Sequence, residues 1–271
     1  MKSTVLGRIL ENPSGIAVCW VGNAGWLIRG AWRLVAFDPD LGSEEKVLPP
    51  VISAEELAPA LDAVFITHEH GDHFNDHTCR VLAQQSKCLF VLPASCLEKG
   101  RRLAIPEARI RIARPREPFD LLGIRVEPLR ALHGDRHQAV YRNANLDDCG
   151  YLLTLVAQTF LSATVAGKNA CPTRTILQPG DSVLLQDHLA LKDVDAMFVS
   201  PTDHNMHVGP ASLLIKTLAP SHVFPQHFDT YVVTPDNEFW THGYPDELKA
   251  ALPPEMQKRY HKLRQGEVFG L

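Results

Sequence analysis

The sequence predicts an α/β domain of packed layers, and three observations carry that prediction. Short β-rich runs succeed one another across glycine turns near the start of the chain, strand-then-helix units come after them, and no linker-like Pro/Gly/Ser tract interrupts the 271 residues. Length alone permits two domains, but the uninterrupted pattern favours one spanning residues 1–271.

Residues 16–21 (IAVCWV), 25–30 (GWLIRG) and 32–38 (WRLVAFD) read as a three-strand meander. AEELAPAL reads as a short helix ahead of the strand 62–67 (DAVFIT). Residues 75–86 have helical apolar spacing with Asn75 as N-cap, and 88–93 (CLFVLP) follow as a strand. In the second half 123–132, 150–157, 174–180 and 194–201 read as strands, 209–219 as a helix with proline at its first position, and 222–227 as a strand. The polar stretch 162–173 reads as a long hairpin loop, and the arginines of 109–117 as charges on an edge strand.

Composition narrows the functions. An apolar fraction of 45%, a charged fraction of 21% and a net charge of -4 are those of an ordinary globular protein, with no basic footprint for nucleic acid. The N-terminus has no apolar leader and no stretch is long enough to span a membrane, so a cytoplasmic protein is expected. The six cysteines form no CxxC pair and read as reduced core thiols. A homo-oligomer stays open.

The chemistry concentrates in FITHEHGDHF, residues 65–74. In His68-x-His70-x-Asp72-His73 the alternate histidines can point one way from a turn while Asp72 and His73 diverge, so one short loop can serve two neighbouring ions. The pattern would arise by chance in a chain of this composition in roughly two cases in a thousand, and it follows a strand end, where α/β sheets build sites. Imidazole plus carboxylate without thiolate suits zinc, iron or manganese. Further ligands must come from other strand ends: His133 in ALHG, Asp181 in PGDS and His227 in PQHFD. His137 in HGDRHQ rivals His133, which is favoured because it directly follows the strand. Thr67, Glu69 and Asp38 read as structural partners of the loop, and His77, His188, His222, His242 and His261 as ordinary histidines.

The order THEHGDH, ALHG, PGDS, PQHFDT resembles the metallo-β-lactamase superfamily, and within it the ascorbate-6-phosphate lactonase-like hydrolases. WVGNAGWLI (20–28), VAFDP (35–39) and LRQGEVFGL (263–271) are similar to that branch's opening glycine motif, first aspartate and closing strand. Two departures stand out: Asn23 occupies a position where relatives often carry histidine, and TDHNMH follows Pro201 in place of a short apolar-glycine turn.

The resemblance implies a four-layer αβ/βα sandwich, the metallo-β-lactamase fold, with the site at one edge of two sheets. It implies two divalent ions, zinc foremost with manganese or iron as alternatives, the first on His68, His70 and His133, the second on Asp72, His73 and His227, with Asp181 bridging. Such a bridge sets the ions about 3.5–4 Å apart, where water ionises near neutral pH and can act as a metal-bound hydroxide, with Asp72 ligating and orienting it or taking its proton. The implied substrate is a small-molecule lactone, ester or amide, phosphorylated ones included; Asn23 and His137 are candidate contacts to it, and His204 and His207, after a strand end, either face it or stand in a solvated loop.

Rival functions rank lower. An oxygen-reducing diiron relative usually has Glu at the position of His70, an antibiotic-hydrolysing enzyme needs export, and an RNase-type enzyme needs a basic arm. A phosphodiesterase acting on a small-molecule or phospholipid diester is the alternative reading. A non-catalytic metal- or ligand-binding relative is expected to lack a ligand, whereas all seven positions are filled here.

Overall fold

The computed structural model describes residues 4–12, 15–30, 32–133, 146–156, 173–183 and 185–271. β1 (Ala17–Gly22), β2 (Gly25–Gly30) and β3 (Arg33–Phe37) form the expected antiparallel meander, because each run is short, β-rich and bounded by a tight turn. From β3 the sheet continues in parallel through β4 (Ala63–Phe65), β5 (Leu89–Pro93) and β6 (Ile110–Ala113). Parallel neighbours need crossovers, which the helices Ala54–Leu57, Asp76–Gln85 and Leu97–Arg102 accompany. Asn75 caps the second of these as predicted, accepting from Thr78 N at 2.9 Å.

The second sheet repeats the plan. β7 (Phe119–Leu121), β8 (Ile124–Arg130), β9 (Cys149–Val156) and β10 (Thr173–Gln178) are antiparallel, and β11 (Ala196–Val199) and β12 (His222–Pro225) add in parallel. β13 (Val268–Gly270) closes the first sheet against β1, joining the end of the chain to its beginning. The arginines of 109–117 do flank an edge strand, β6. The predicted hairpin loop 162–173 lies almost wholly outside the described residues.

Three apolar clusters separate four layers. Alternate residues of one strand serve two of them: Leu34 and Ala36 of β3 pack under the first set of helices, while Val35 and Phe37 meet the second sheet. Burial on both faces explains why these strands read as continuous apolar runs. Trp26 stacks on Phe198 across the sheets with centroids 4.1 Å apart, and the helix Val208–Leu218 covers the far face of the second sheet. The αβ/βα sandwich is therefore the architecture observed. Two expectations need correction: the chain also forms a helix at Val5–Leu10, and Pro210 stands third, not first, in its helix, since His207 takes the cap position in the left-handed region (φ 51°).

Candidate metal centre

Five strand ends converge at one edge of the sandwich. The loop after β4 brings His68, His70, Asp72 and His73; His133 follows β8, Asp181 follows β10, His204 follows β11 and His227 follows β12. The β4 loop is tight, with the amides of His73 and Phe74 both donating to the His70 carbonyl at 3.1 and 2.7 Å. At Asp181 the turn needs Gly180, whose φ is 65° and whose added Cβ would stand 3.2 Å from Thr67.

Asp181 is the centre of the arrangement. His227 Nε2 is 3.1 Å from Oδ1, while the Nε2 atoms of His204, His73 and His133 lie 3.2, 3.3 and 3.7 Å from Oδ2. His68, His70 and His133 form one set of converging donors, and Asp72, His73 and His227 another. The rings of His68 and His133 are 5.0 Å apart, those of His70 and His133 4.5 Å. All seven expected ligands are thus brought together.

Asp38 orients the loop. Its carboxylate accepts from Thr67 N at 2.8 Å and from Thr67 Oγ1 at 2.7 Å, and its Oδ2 lies 2.8 Å from His73 Nδ1. A proton on His73 Nδ1 leaves Nε2 as a bare donor facing Asp72 and Asp181, the usual role of an outer carboxylate behind a ligating imidazole. We expect Asp38→Asn to fold yet bind metal about 10–100-fold more weakly, read by competition with a chelator of known affinity. Unchanged affinity would remove Asp38 from the centre.

Protonation follows the same geometry. Burial, and then the imidazoles of His73, His133 and His70, hold His68 well below the usual range, and burial with His133 takes His70 to about 4. Burial would also lower His73, but the carboxylates of Asp181, Asp72 and Asp38 outweigh it and raise it well above that range. Burial would raise Asp181, but His227 and His73 hold it well below the ordinary carboxylate value. Anionic carboxylates therefore face crowded imidazoles, of which His68 and His70 are held neutral. The buried Nε2 atoms of His68, His73 and His227 make no hydrogen bond of good geometry. Buried nitrogens left this way beside fixed carboxylates fit a cation, so the donor set suits the metals that the sequence implies.

Other predicted residues fall as follows. Asn23 donates from Nδ2 to Asp72 Oδ2 at 2.9 Å, and its own carbonyl accepts from the His227 amide at 3.2 Å, so it braces two of the expected ligands. His207 pairs with Asp203 at 3.0 Å and is not among the residues lining the cavity over the centre. His137 lies outside the described residues. Glu69 is exposed, consistent with a carboxylate turned away from the ligands. Five of the cysteines are free and buried; Cys171 is outside the described residues. His222 and His261 pair at 3.1 Å, a contact that the sequence reading missed.

The cavity, about 220 Å³, is lined by His70, Asp72, His133, Asp181, His204, Phe239 and Trp240. Its aromatic wall comes from the short helix Glu238–Thr241, which sequence pattern did not predict. Consecutive carbonyls of that turn meet two histidines: His204 Nδ1 lies 3.0 Å from Phe239 O, and His227 Nδ1 lies 3.2 Å from Trp240 O. Among the described residues no helix is long and apolar enough to cross a membrane.

Comparison with known proteins agrees with this geometry. Residues 23–228 match the family model described as the beta-lactamase superfamily domain. A UPF0173 metal-dependent hydrolase of Pelotomaculum thermopropionicum is 25% identical over 260 residues, covering 94% of this chain and 99% of the relative. Two solved structures share the fold: an isothiocyanate hydrolase from Delia radicum gut bacteria (TM-score 0.68, 15% identity, 94% of this chain and 98% of that one) and a metallo hydrolase of Ignicoccus hospitalis (TM-score 0.66, 14% identity, 94% and 97%).

Proposed function

The chain belongs to the beta-lactamase superfamily and is a metal-dependent hydrolase, and from that premise we propose that it opens a small, compact lactone, ester or amide in the manner of the lactonase-like branch. The observation that carries the reading is the ring of imidazoles around Asp181 at the floor of a cavity of about 220 Å³. We assign His68, His70 and His133 to one ion and Asp72, His73 and His227 to a second, with Asp181 shared, in a single hydrolase domain over residues 1–271. A nitrogen-rich set with carboxylates suits zinc. When bound, such ions lower the pKa of water and stabilise oxyanion charge.

The chain's own residues supply the rest. Asn23 fixes Asp72 by donating to Oδ2, so that this carboxylate is held in one orientation, ready to accept a proton beside the reacting carbonyl. Asp38 and Thr67 hold His73 in place, which spares the site reorganisation during the reaction. Phe239 and Trp240 wall the cavity, limit the size of the acyl group and keep bulk water from it. Among the described lining residues there is no Lys or Arg, which favours an uncharged substrate surface at this wall.

A panel of lactones, esters, amides, phosphomonoesters and phosphodiesters, each with and without chelator, tests the reading. Turnover of carbonyl substrates is expected to vanish on exhaustive chelation, to return with zinc, and to rise with pH through the neutral range as water ionises. Full turnover in metal-free protein, or turnover of phosphodiesters alone, overturns it.

A further inference from the structure

His204 and His227 are held alike. One short turn, Glu238–Thr241, offers its Phe239 carbonyl to His204 Nδ1 at 3.0 Å and its Trp240 carbonyl to His227 Nδ1 at 3.2 Å. A carbonyl oxygen only accepts, so in each ring Nδ1 carries the hydrogen and Nε2 turns to Asp181, at 3.2 Å from Oδ2 for His204 and 3.1 Å from Oδ1 for His227. The two imidazoles flank the carboxylate, one to each oxygen. His204 is also backed by its own amide, which donates to the same Phe239 carbonyl at 3.1 Å, and its residue is only 3% exposed.

This is how ligating imidazoles are held: the far nitrogen fixed by a carbonyl or carboxylate, the near one buried and turned to the position of the ion. His204 Nε2 and the Asp181 carboxylate are both buried and converge at 3.2 Å, so a cation at this corner would meet both. His133 completes the corner, with its ring centroid 4.8 Å from that of His204, and donors of His133, Asp181 and His204 lie within 4.8 Å of one another. A side chain poised for substrate would be expected to turn its free nitrogen to the cavity, whereas this one is turned to the shared carboxylate.

Resting on the two-ion reading above, we infer that His204 is a further protein ligand to the cation held at His133 and Asp181, and that it is not a substrate contact. The departure TDHNMH after Pro201 then adds a ligand to the centre, where sequence alone leaves a substrate-facing or a solvated loop.

Cobalt-loaded full-length protein gives the test. His204→Ala is expected to weaken one cobalt dissociation constant by at least about 100-fold, the upper end of what losing an outer partner costs. It should also delete one solvent-exchangeable, paramagnetically shifted proton, the Nδ1–H that Phe239 holds. His204→Cys, which keeps a ligating atom, should retain both ions and gain a sulfur-to-cobalt charge-transfer band in the near ultraviolet. An unchanged dissociation constant and proton spectrum in His204→Ala, with only KM raised, overturns the inference, as does a two-cobalt His204→Cys without the band. Wild-type protein that takes up no cobalt fails the two-ion reading itself, which separates the two failures.

Discussion

Asp181→Ala is expected to hold close to one cation per chain instead of two, and to lose turnover by about 10²–10³-fold or more, the cost of removing a principal electrostatic element from a buried centre. Four imidazole nitrogens lie between 3.1 and 3.7 Å from its two oxygens, so this one carboxylate reaches both expected ion positions. Without that negative charge the repulsion between two cations is uncompensated, and the more weakly held one leaves. The ion that stays should be the one on His68, His70 and His133. The substitution also withdraws the foremost of the three carboxylates that raise His73, so the value for that ring should fall. The Gly180 turn and the Val183 amide, which donates to the Leu132 carbonyl at 2.8 Å, keep the backbone there in place, so the variant should fold. Metal analysis and kcat on the same sample decide it: two ions per chain with near wild-type turnover would falsify the bridging role.

Much of the centre was legible because metal ligands and strand ends are both local signals. His68, His70, Asp72 and His73 share one turn after an apolar run, and Asp181 and His227 each follow a β-rich segment within a few residues. Their side-chain types announce the chemistry. The layered sandwich was legible from the same runs, since strands buried on both faces leave no polar alternation and need helices on the outer sides.

What was not legible depends on partners remote in the chain or on backbone groups. Asn23 reads as a substrate contact in sequence, yet the β1–β2 turn lies against the ligand loop and its amide goes to Asp72. The clamp on His204 and His227 is made by main-chain carbonyls of a four-residue helix, too short for any apolar period to reveal. β13 pairs with β1 across almost the whole chain, and His222 meets His261 across 39 residues. Gly243 shows the same limit: a Cβ there would stand 2.3 Å from the His227 carbonyl, a constraint invisible until the two segments are adjacent.

The choice between His133 and His137 is the other point at which a substitution should have a very large effect. His133 is fixed by the backbone on both sides of the site: Leu132 N donates to Ser182 Oγ at 3.1 Å and Leu132 O accepts from Val183 N at 2.8 Å, so residues 131–133 are tied directly to the Asp181 turn. Its ring lies against both His68 and His70, and it alone among the described residues joins the three-histidine set to the corner of Asp181 and His204. Truncating it removes the imidazole that joins His68 and His70 to the corner of Asp181 and His204, and so breaks the set that would hold the first ion. His133→Ala should therefore lose that ion and reduce turnover to about a thousandth of wild type or less. The side chain is only 8% exposed, so circular dichroism and thermal unfolding of chelated samples must accompany the assay to separate metal loss from packing loss. His137→Ala should keep wild-type metal content and alter KM at most, as expected of a side chain that reaches substrate but no ion. Metal lost from His137→Ala and retained by His133→Ala would move the ligand to the other histidine and break the link between the three-histidine set and Asp181.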